Sequence, residues 1–449
     1  MDFLNAAQTN KDALLNDLTK LLKIDTTLIE QPSNREAPFG LGLRQALDYI
    51  LKLGKEMGFI TKKIDEIVGY IEFGEGKELV GVLAHLDVVP AGDGWTYPPF
   101  SATISGDHLY ARGAMDDKGP LMASLYAMKI LKDSGLKLKK RIRLIVGTDE
   151  ETSWRDIKCY LEKCEIPSIG FSPDASFPLI YGEKGILSFD ILTDFQNEII
   201  NSISAGSRYN VVPEKASAIL NGNYVELFET FNLAHQYNGK AEHKKGKTYL
   251  IMYGKSAHAM NPEAGINALV RLCEFLSLHT KNPLVNFVSK NLTDTRLKTI
   301  KLNFSDHEMK DLTMNVALAN FTTNTGKIGI NLRYPIRWDK DAFFSKLQKK
   351  AEGLKLKIIE DKLPHYVSLD TPLIKTLHKA YIKYTKDDKS PLLTIGGGTY
   401  ARAFKNMVAF GMAMPKQAEV AHQVDEYLII SHLITATAIY AEALYELGK

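Results

Sequence analysis

Along residues 1–27, Leu and Phe recur at helical spacing between Asp, Asn, Gln and Lys, which predicts an opening amphipathic helix. From Glu78 to about Phe171 the texture changes to short apolar runs alternating with helical stretches: ELVGVLAHL, GPLMASLYAMKILKDSG, RIRLIVGTDEE and SIGFSPD. That is the β-α-β rhythm of a mixed, mostly parallel sheet between helices. After Tyr181-Gly182-Glu183-Lys184-Gly185 come amphipathic strands, ILSFDIL, KASAILNG and KTYLIMYG, then a helix near Ile266 to His279. A second such stretch follows, with strand GKIGINLRYP, a helix over Lys340 to Glu352 and strand LKLKIIEDK. Beyond about Leu369 the earlier style returns, with a helix from Pro372, an apolar strand PLLTIGG and a C-terminal helix starting near Glu426. The pattern predicts an α/β first domain, residues 1–184 plus 367–449, interrupted by an inserted α+β domain, residues 185–366, made of two sheet-plus-helix units. An insertion of that size is too long for a structureless connection.

Composition narrows the class. The 449 residues are 45% hydrophobic and 24% charged, and 56 basic against 53 acidic side chains leave a formal net charge of +3. Such balance gives no electrostatic footprint for nucleic acid, and the basic stretch Lys137 to Arg143 reads as a solvated helix end and strand start. Cys159, Cys164 and Cys273 form no disulfide framework and no C-x-x-C metal pattern, which fits a reducing cytoplasm. No apolar run approaches the roughly 18 residues a membrane span needs, and the N-terminus lacks a secretory apolar core. A soluble cytoplasmic protein without membrane or nucleic-acid partners is the expectation.

The chemistry gathers where strands end. His85 and Asp87 follow an apolar strand at a spacing of two, so an extended backbone sends both to one side. Asp116 and Asp117 precede a helix, Glu150 and Glu151 follow RIRLIVG, and Asp174 follows IGFSP. Each acid taken alone is an ordinary cap or loop residue. Together at the carboxyl edge of one sheet they would repel severely unless cations were present or several were protonated. His422 offers a second imidazole. Two imidazoles with several carboxylates suit Zn, Mn or Co, and a pair of metals sharing one carboxylate is a common device for hydrolysis.

HLDVVPAGDGW, ARGAMDDKGP, GTDEETSW, FSPDASFPLIYGEKG, GKSAHAMNPEAG and EVAHQVDE together resemble, in order and over essentially the whole chain, the dinuclear metallopeptidases that include aminoacylase, carnosinase and succinyl-diaminopimelate desuccinylase. Within that family the chain is most similar to the bacterial PepV-type dipeptidases. The resemblance implies two divalent metals, Zn foremost with Mn or Co as alternatives. His85 and Asp174 would hold one, Glu151 and His422 the other, and Asp116 would bridge them. It makes Glu150 the general base and Asp87 the carboxylate that orients His85, and it implies a cis peptide between Asp116 and Asp117. It also makes the insert a lid, in which His258 donates to the developing oxyanion, Arg333 clamps the substrate carboxylate and Asn210 contacts substrate. Gly396-Gly397-Gly398-Thr399 lacks a phosphate-loop ending and reads as close backbone approach to a peptide, with Gly397 and Thr399 as contacts. The implied activity is hydrolysis of small peptides, dipeptides with a free carboxylate, by a monomer whose insert is long enough to complete its own site. An N-acyl amino acid amidohydrolase and a non-catalytic metal- or peptide-binding protein are the alternatives.

Overall fold

A computed structural model describes residues 1–449. The chain forms two compact units: Met1–Tyr181, Tyr366–Leu393 and Thr399–Lys449 make the first, and Gly182–His365 with Thr394–Gly398 make the second. No helix is long and apolar enough to cross a membrane.

In the first unit the sheet runs in the order Ile60–Ile64, Val68–Phe73, Arg141–Gly147, Leu79–His85, Ile169–Ser172, Met407–Ala409. Leu79–His85 is parallel to both of its neighbours, while the first two strands are antiparallel. Every residue of Leu79–His85 is buried, because a central parallel strand is covered on both faces and has no solvent side to alternate towards. The helices Lys118–Asp133 and Ile430–Gly448 pack on each other and against the central strands, closing a core that includes Leu83's neighbours Val82 and Ala84, Leu125 and Ile439.

The predicted opening helix is two helices, Phe3–Thr9 and Lys11–Leu22, and Asp2 caps the first through the backbone N–H groups of Leu4 and Asn5. The C-terminal helix begins at Ile430 rather than near Glu426. Tyr427–Ile429 is a short strand, and Asp425 stands in a left-handed backbone at φ 58°, so a right-handed helix does not run through this segment. PLLTIGG contracts to the strand Leu393–Ile395.

The second unit is built on one antiparallel sheet of eight strands, ordered Asn238–Lys244, Lys247–Tyr253, Lys215–Asn221, Ile200–Ala205, Thr313–Phe321, Thr325–Tyr334, Gly185–Asp194, Lys355–Lys362. The two sheet-plus-helix stretches of the sequence therefore share a single sheet: Gly185–Asp194 of the first lies between Thr325–Tyr334 and Lys355–Lys362 of the second, and Ile203 pairs with Phe321. That pairing removes two open edges that separate sheets would expose. Helices Ala268–Ser277 and Pro283–Asn291 bury their apolar faces on it.

Arg143 departs from its solvated reading. It lies opposite Glu72 in the antiparallel pairing of Val68–Phe73 with Arg141–Gly147 and is buried, donating to Glu72 from Nε at 2.6 Å and to the Tyr160 hydroxyl at 2.8 Å. Removing one partner of a buried ion pair strands the other charge. Glu72→Ala is therefore expected to lower stability by about 3–5 kcal/mol, read as a fall in the urea midpoint. The paired change Glu72→Leu with Arg143→Met should recover most of that loss.

Candidate functional site

Parallel pairing sets the site. His85 ends its strand directly opposite Gly147, and Val82 lies opposite Phe171, so the chain leaves three adjacent strands at one edge. His85 stands at the first end, Glu150 and Glu151 follow the second, and Asp174 follows the third. Asp116 arrives just before the helix Lys118–Asp133, where the helix dipole favours negative charge, and His422 arrives from the segment before Tyr427–Ile429. The peptide between Asp116 and Asp117 is cis.

These side chains fall into two clusters that share Asp116. Asp116 Oδ1 lies 3.1 Å from His85 Nε2, which is also 3.5 Å from Asp174 Oδ2. Asp116 Oδ2 lies 3.0 Å from His422 Nε2, which is 2.7 Å from Glu151 Oε1. Ligands bonded at about 2.0–2.1 Å in a tetrahedron stand roughly 3.3 Å apart, and these separations bracket that value. His85 Nε2 and Asp116 Oδ1 are buried without any hydrogen bond. A divalent cation satisfies both, and the mixed nitrogen and oxygen donors favour Zn, Mn or Co over Mg or Ca. The residues present thus fit two metal ions.

Electrostatics points the same way. Burial, reinforced by Asp116, raises the Asp174 carboxyl, and burial likewise raises Glu151. Burial also opposes the charge on Asp116, but His422 and His85 outweigh it and hold that carboxyl below the usual range. Contacts with Asp116 and Glu151 push the His422 imidazole up to about 11. Without a cation the site disfavours full ionisation of its carboxyls, and a bound divalent ion would reverse that balance. Glu150 belongs to neither cluster, and burial raises its carboxyl well above the ordinary range, with His85 opposing and Glu151, Asp174 and Asp87 adding to the rise.

Asp87 ties the clusters together. Its carboxylate accepts from the backbone N–H of Glu150 at 3.1 Å and of Glu151 at 2.9 Å, while its Oδ1 sits 3.4 Å from His85 Nδ1. The nearer partner of Nδ1 is the Asp87 carbonyl, at 3.0 Å.

The supporting roles of three carboxylates escaped the sequence reading, which names Asp117 only as an acid before a helix. Asp117 accepts from the backbone N–H of His85 at 2.9 Å. Glu426 accepts from those of Met115 at 2.9 Å and Asp116 at 3.2 Å, and pairs with buried Arg112 at 2.6 Å. Asp156 accepts from Thr148 and Asp149, and from the Tyr400 hydroxyl at 2.8 Å. Gly147 makes room for this last arrangement, since a Cβ there would meet Asp156 Oδ2 and the Tyr400 hydroxyl at 2.3 Å. Asp117, Arg112 and Glu426 lie inside the motifs already singled out; nothing in the sequence marked Asp156.

The second unit holds His258, Asn210, Arg333 and Gly397. The backbone N–H of Met260 donates to His258 Nδ1 at 3.1 Å, so the neutral ring carries its proton on Nε2. Burial, with Arg333 adding, lowers the His258 pKa and favours that neutral form. Arg333 donates to Asn331 Oδ1 at 2.8 Å and to the Gly396 carbonyl at 2.9 Å, and shares a cavity of about 310 Å³ with Asn210. At Gly396 the close approach that needs glycine is to the protein itself, since a Cβ would meet that of Met260 at 2.9 Å; Gly397 has only ordinary clearance. Thr399 lies in the first unit, where its hydroxyl accepts from the backbone N–H of Ala401.

An α/β unit that gathers two carboxylate-rich clusters able to hold metal ions at its parallel strand ends has the donor set of a metal-dependent hydrolase. Residues 81–446 match the model of peptidase family M20/M25/M40, and the chain belongs to that family. It is 41% identical over 455 residues to a Bacillus subtilis (strain 168) protein named "Putative dipeptidase YtjP", with 98% of each chain covered. Human carnosine dipeptidase 1 shares the fold at a TM-score of 0.60 and 14% identity, covering 99% of this chain and 98% of that one. So does the aminoacylhistidine dipeptidase of Vibrio alginolyticus, at a TM-score of 0.59 and 14% identity with 97% of each covered.

Asp87→Ala frees the Glu150-Glu151 turn and withdraws a carboxylate from beside His85. The expected outcome is a 10- to 100-fold loss of metal affinity in chelator competition, with the circular dichroism spectrum unchanged; unaltered affinity would remove Asp87 from this role.

Proposed function

We propose that the protein hydrolyses dipeptides bearing a free C-terminal carboxylate, with Glu150 as general base. The observation that carries this reading is the division of Asp116, whose two oxygens face separate clusters while Glu150 stands beside both and in neither. In this reading His85 and Asp174 hold one divalent ion, Glu151 and His422 the other, and Asp116 bridges them, with Zn favoured and Mn or Co as alternatives. When bound, such a pair supplies Lewis-acid polarisation of the scissile carbonyl and acidifies water.

Glu150 takes a proton from the attacking water as its oxygen bonds to the carbonyl carbon. The C–N bond then breaks, and Glu150 returns the proton to the leaving amine. His258 donates from Nε2 to the developing oxyanion, a contribution of about 2.7–4 kcal/mol for donors of this kind. The planar guanidinium of Arg333, with Asn210, Gly397 and Thr399 as further contacts, receives the substrate carboxylate. Residues 1–184 with 367–449 act as the catalytic domain and 185–366 as the lid. In this reading the protein is a monomer, because the insert is long enough to complete its own site, and acts on small peptides in the cytoplasm without nucleic acid or membrane as partner; the near-balanced charge offers nucleic acid no electrostatic footprint.

Glu150→Gln is expected to keep both metal equivalents yet lower kcat by about 10²–10⁴; comparable turnover would remove the base assignment. Chelation should abolish activity in the wild type, and Zn, Mn or Co should restore it. Free dipeptides assayed beside N-acetyl and N-succinyl amino acids decide the substrate class. Turnover confined to the acylated compounds would replace the dipeptidase reading with an amidohydrolase one, and no turnover by metal-loaded protein would leave a binding protein.

A further inference from the structure

A second cavity, of about 260 Å³, lies wholly within the second unit. Asn267, Val270, Arg271 and Glu274 all line it, because residues three and four apart share one face at the start of the helix Ala268–Ser277. Opposite them stand Tyr237, Glu263 and the apolar side chains of Leu292 and Met314.

The charges here are unevenly paired. Arg271 places its guanidinium carbon 4.1 Å over the centre of the Tyr237 ring, yet it has no carboxylate partner and no hydrogen-bond acceptor. A guanidinium offers five donors in a planar fork suited to a carboxylate. The Tyr237 hydroxyl donates to Glu274 Oε2 at 2.9 Å, which fixes the ring under Arg271 and leaves Glu274 Oε1 open. Glu263 Oε1 accepts from Arg296 Nε at 2.6 Å and from Thr295 at 3.3 Å, which leaves Oε2 open. The two amides are already engaged: Asn267 donates to the Val316 carbonyl at 2.8 Å, and Asn315 to that of Val211 at 2.9 Å. The cavity thus presents one unpaired cation, two carboxylate oxygens with free lone pairs, and apolar walls.

We propose that this cavity binds a free α-amino acid with a compact apolar side chain. Arg271 takes the α-carboxylate, Glu274 and Glu263 take the α-ammonium, and Val270, Leu292 and Met314 cover the side chain. A zwitterion satisfies both signs of charge at once, whereas a simple anion leaves the carboxylates facing it and a simple cation faces Arg271. The volume falls below the roughly 300–1,000 Å³ of pockets that hold drug-sized ligands, which suits one amino acid. That the ligand is a product of the protein's own reaction rests on the dipeptidase reading; the site itself does not.

The test is equilibrium dialysis of labelled L-leucine against the metal-loaded full chain, with a dipeptide analogue present to occupy the catalytic site. One equivalent of leucine should bind, and Arg271→Gln and Glu274→Gln should each weaken it by about tenfold or more, the effect of losing one charge-assisted contact. Neither 4-methylpentanoate, which lacks the ammonium, nor 3-methylbutylamine, which lacks the carboxylate, should displace it. Arg271→Gln should retain wild-type hydrolysis. Leucine binding that is absent at millimolar concentration, that survives both substitutions, or that yields to either analogue would overturn the proposal. Arg271-dependent binding by a protein that cleaves no dipeptide would sink the dipeptidase reading and leave this site standing.

Discussion

The first unit is organised around mutual repulsion. Asp116, Asp174, Glu150 and Glu151 converge on His85 and His422 at one sheet edge, where desolvation acts against ionisation of all four and the two imidazoles outweigh it only at Asp116. Such a cluster persists in a fold only if something fixes its backbone and either cations fill it or several of its carboxyls stay protonated. The two imidazoles alone are a poor match, since His85 Nε2 and Asp116 Oδ1 face each other at 3.1 Å without forming a hydrogen bond. Divalent ions solve the charge and the geometry together.

The backbone is fixed by a second ring of carboxylates that spend their charge on amide N–H groups. Asp87 receives the N–H groups of Glu150 and Glu151, Asp117 that of His85, Glu426 those of Met115 and Asp116, and Asp156 those of Thr148 and Asp149. The segments that present His85, Asp116, Glu150 and Glu151 are thereby anchored from behind. Charge-assisted bonds of this kind are shorter and stronger than neutral ones, and they hold the acids together against a repulsion that would otherwise scatter them. Arg112, buried against Glu426, is the only basic side chain drawn into an ion pair with that ring from outside the metal clusters, apart from Arg155 on Asp149 at its margin.

Much of this was legible in the chain. Continuous apolar runs ending in His or acid mark buried parallel strands and the edge at which their loops meet, so the two histidines and the acids around them could be gathered before any coordinates. What escaped depends on long-range pairing. Asp156 lies in the first turn of the helix Arg155–Lys163 and resembles any first-turn acid, and Arg143 looks solvated until Glu72 is seen across from it in the sheet. The single eight-stranded sheet of the second unit hangs on the pairing of Ile203 with Phe321, more than a hundred residues apart, for which local periodicity carries no signal. The glycines at 396 and 397 advertise close approach without saying to what; at Gly396 the neighbour is Met260.

The second unit follows a different electrostatic logic. Around His258 the protein places positive charge and an amide donor rather than carboxylates: Arg333 and burial disfavour the imidazolium, and the Met260 N–H occupies Nδ1. The ring is left with one N–H, on Nε2, and no net charge. A neutral donor strengthens its hydrogen bond as charge develops on an acceptor, without having bound a neutral acceptor tightly beforehand, and that difference is what stabilises a transition state more than a ground state. The loop enforces this tautomer through the main chain alone, since Val211 pairs with His258 across a bridge and the backbone of Lys255 pairs with that of Ile266. The side chains at 256, 257 and 259 take no part in those bonds, so the donor state of His258 depends on the loop's closure rather than on its composition.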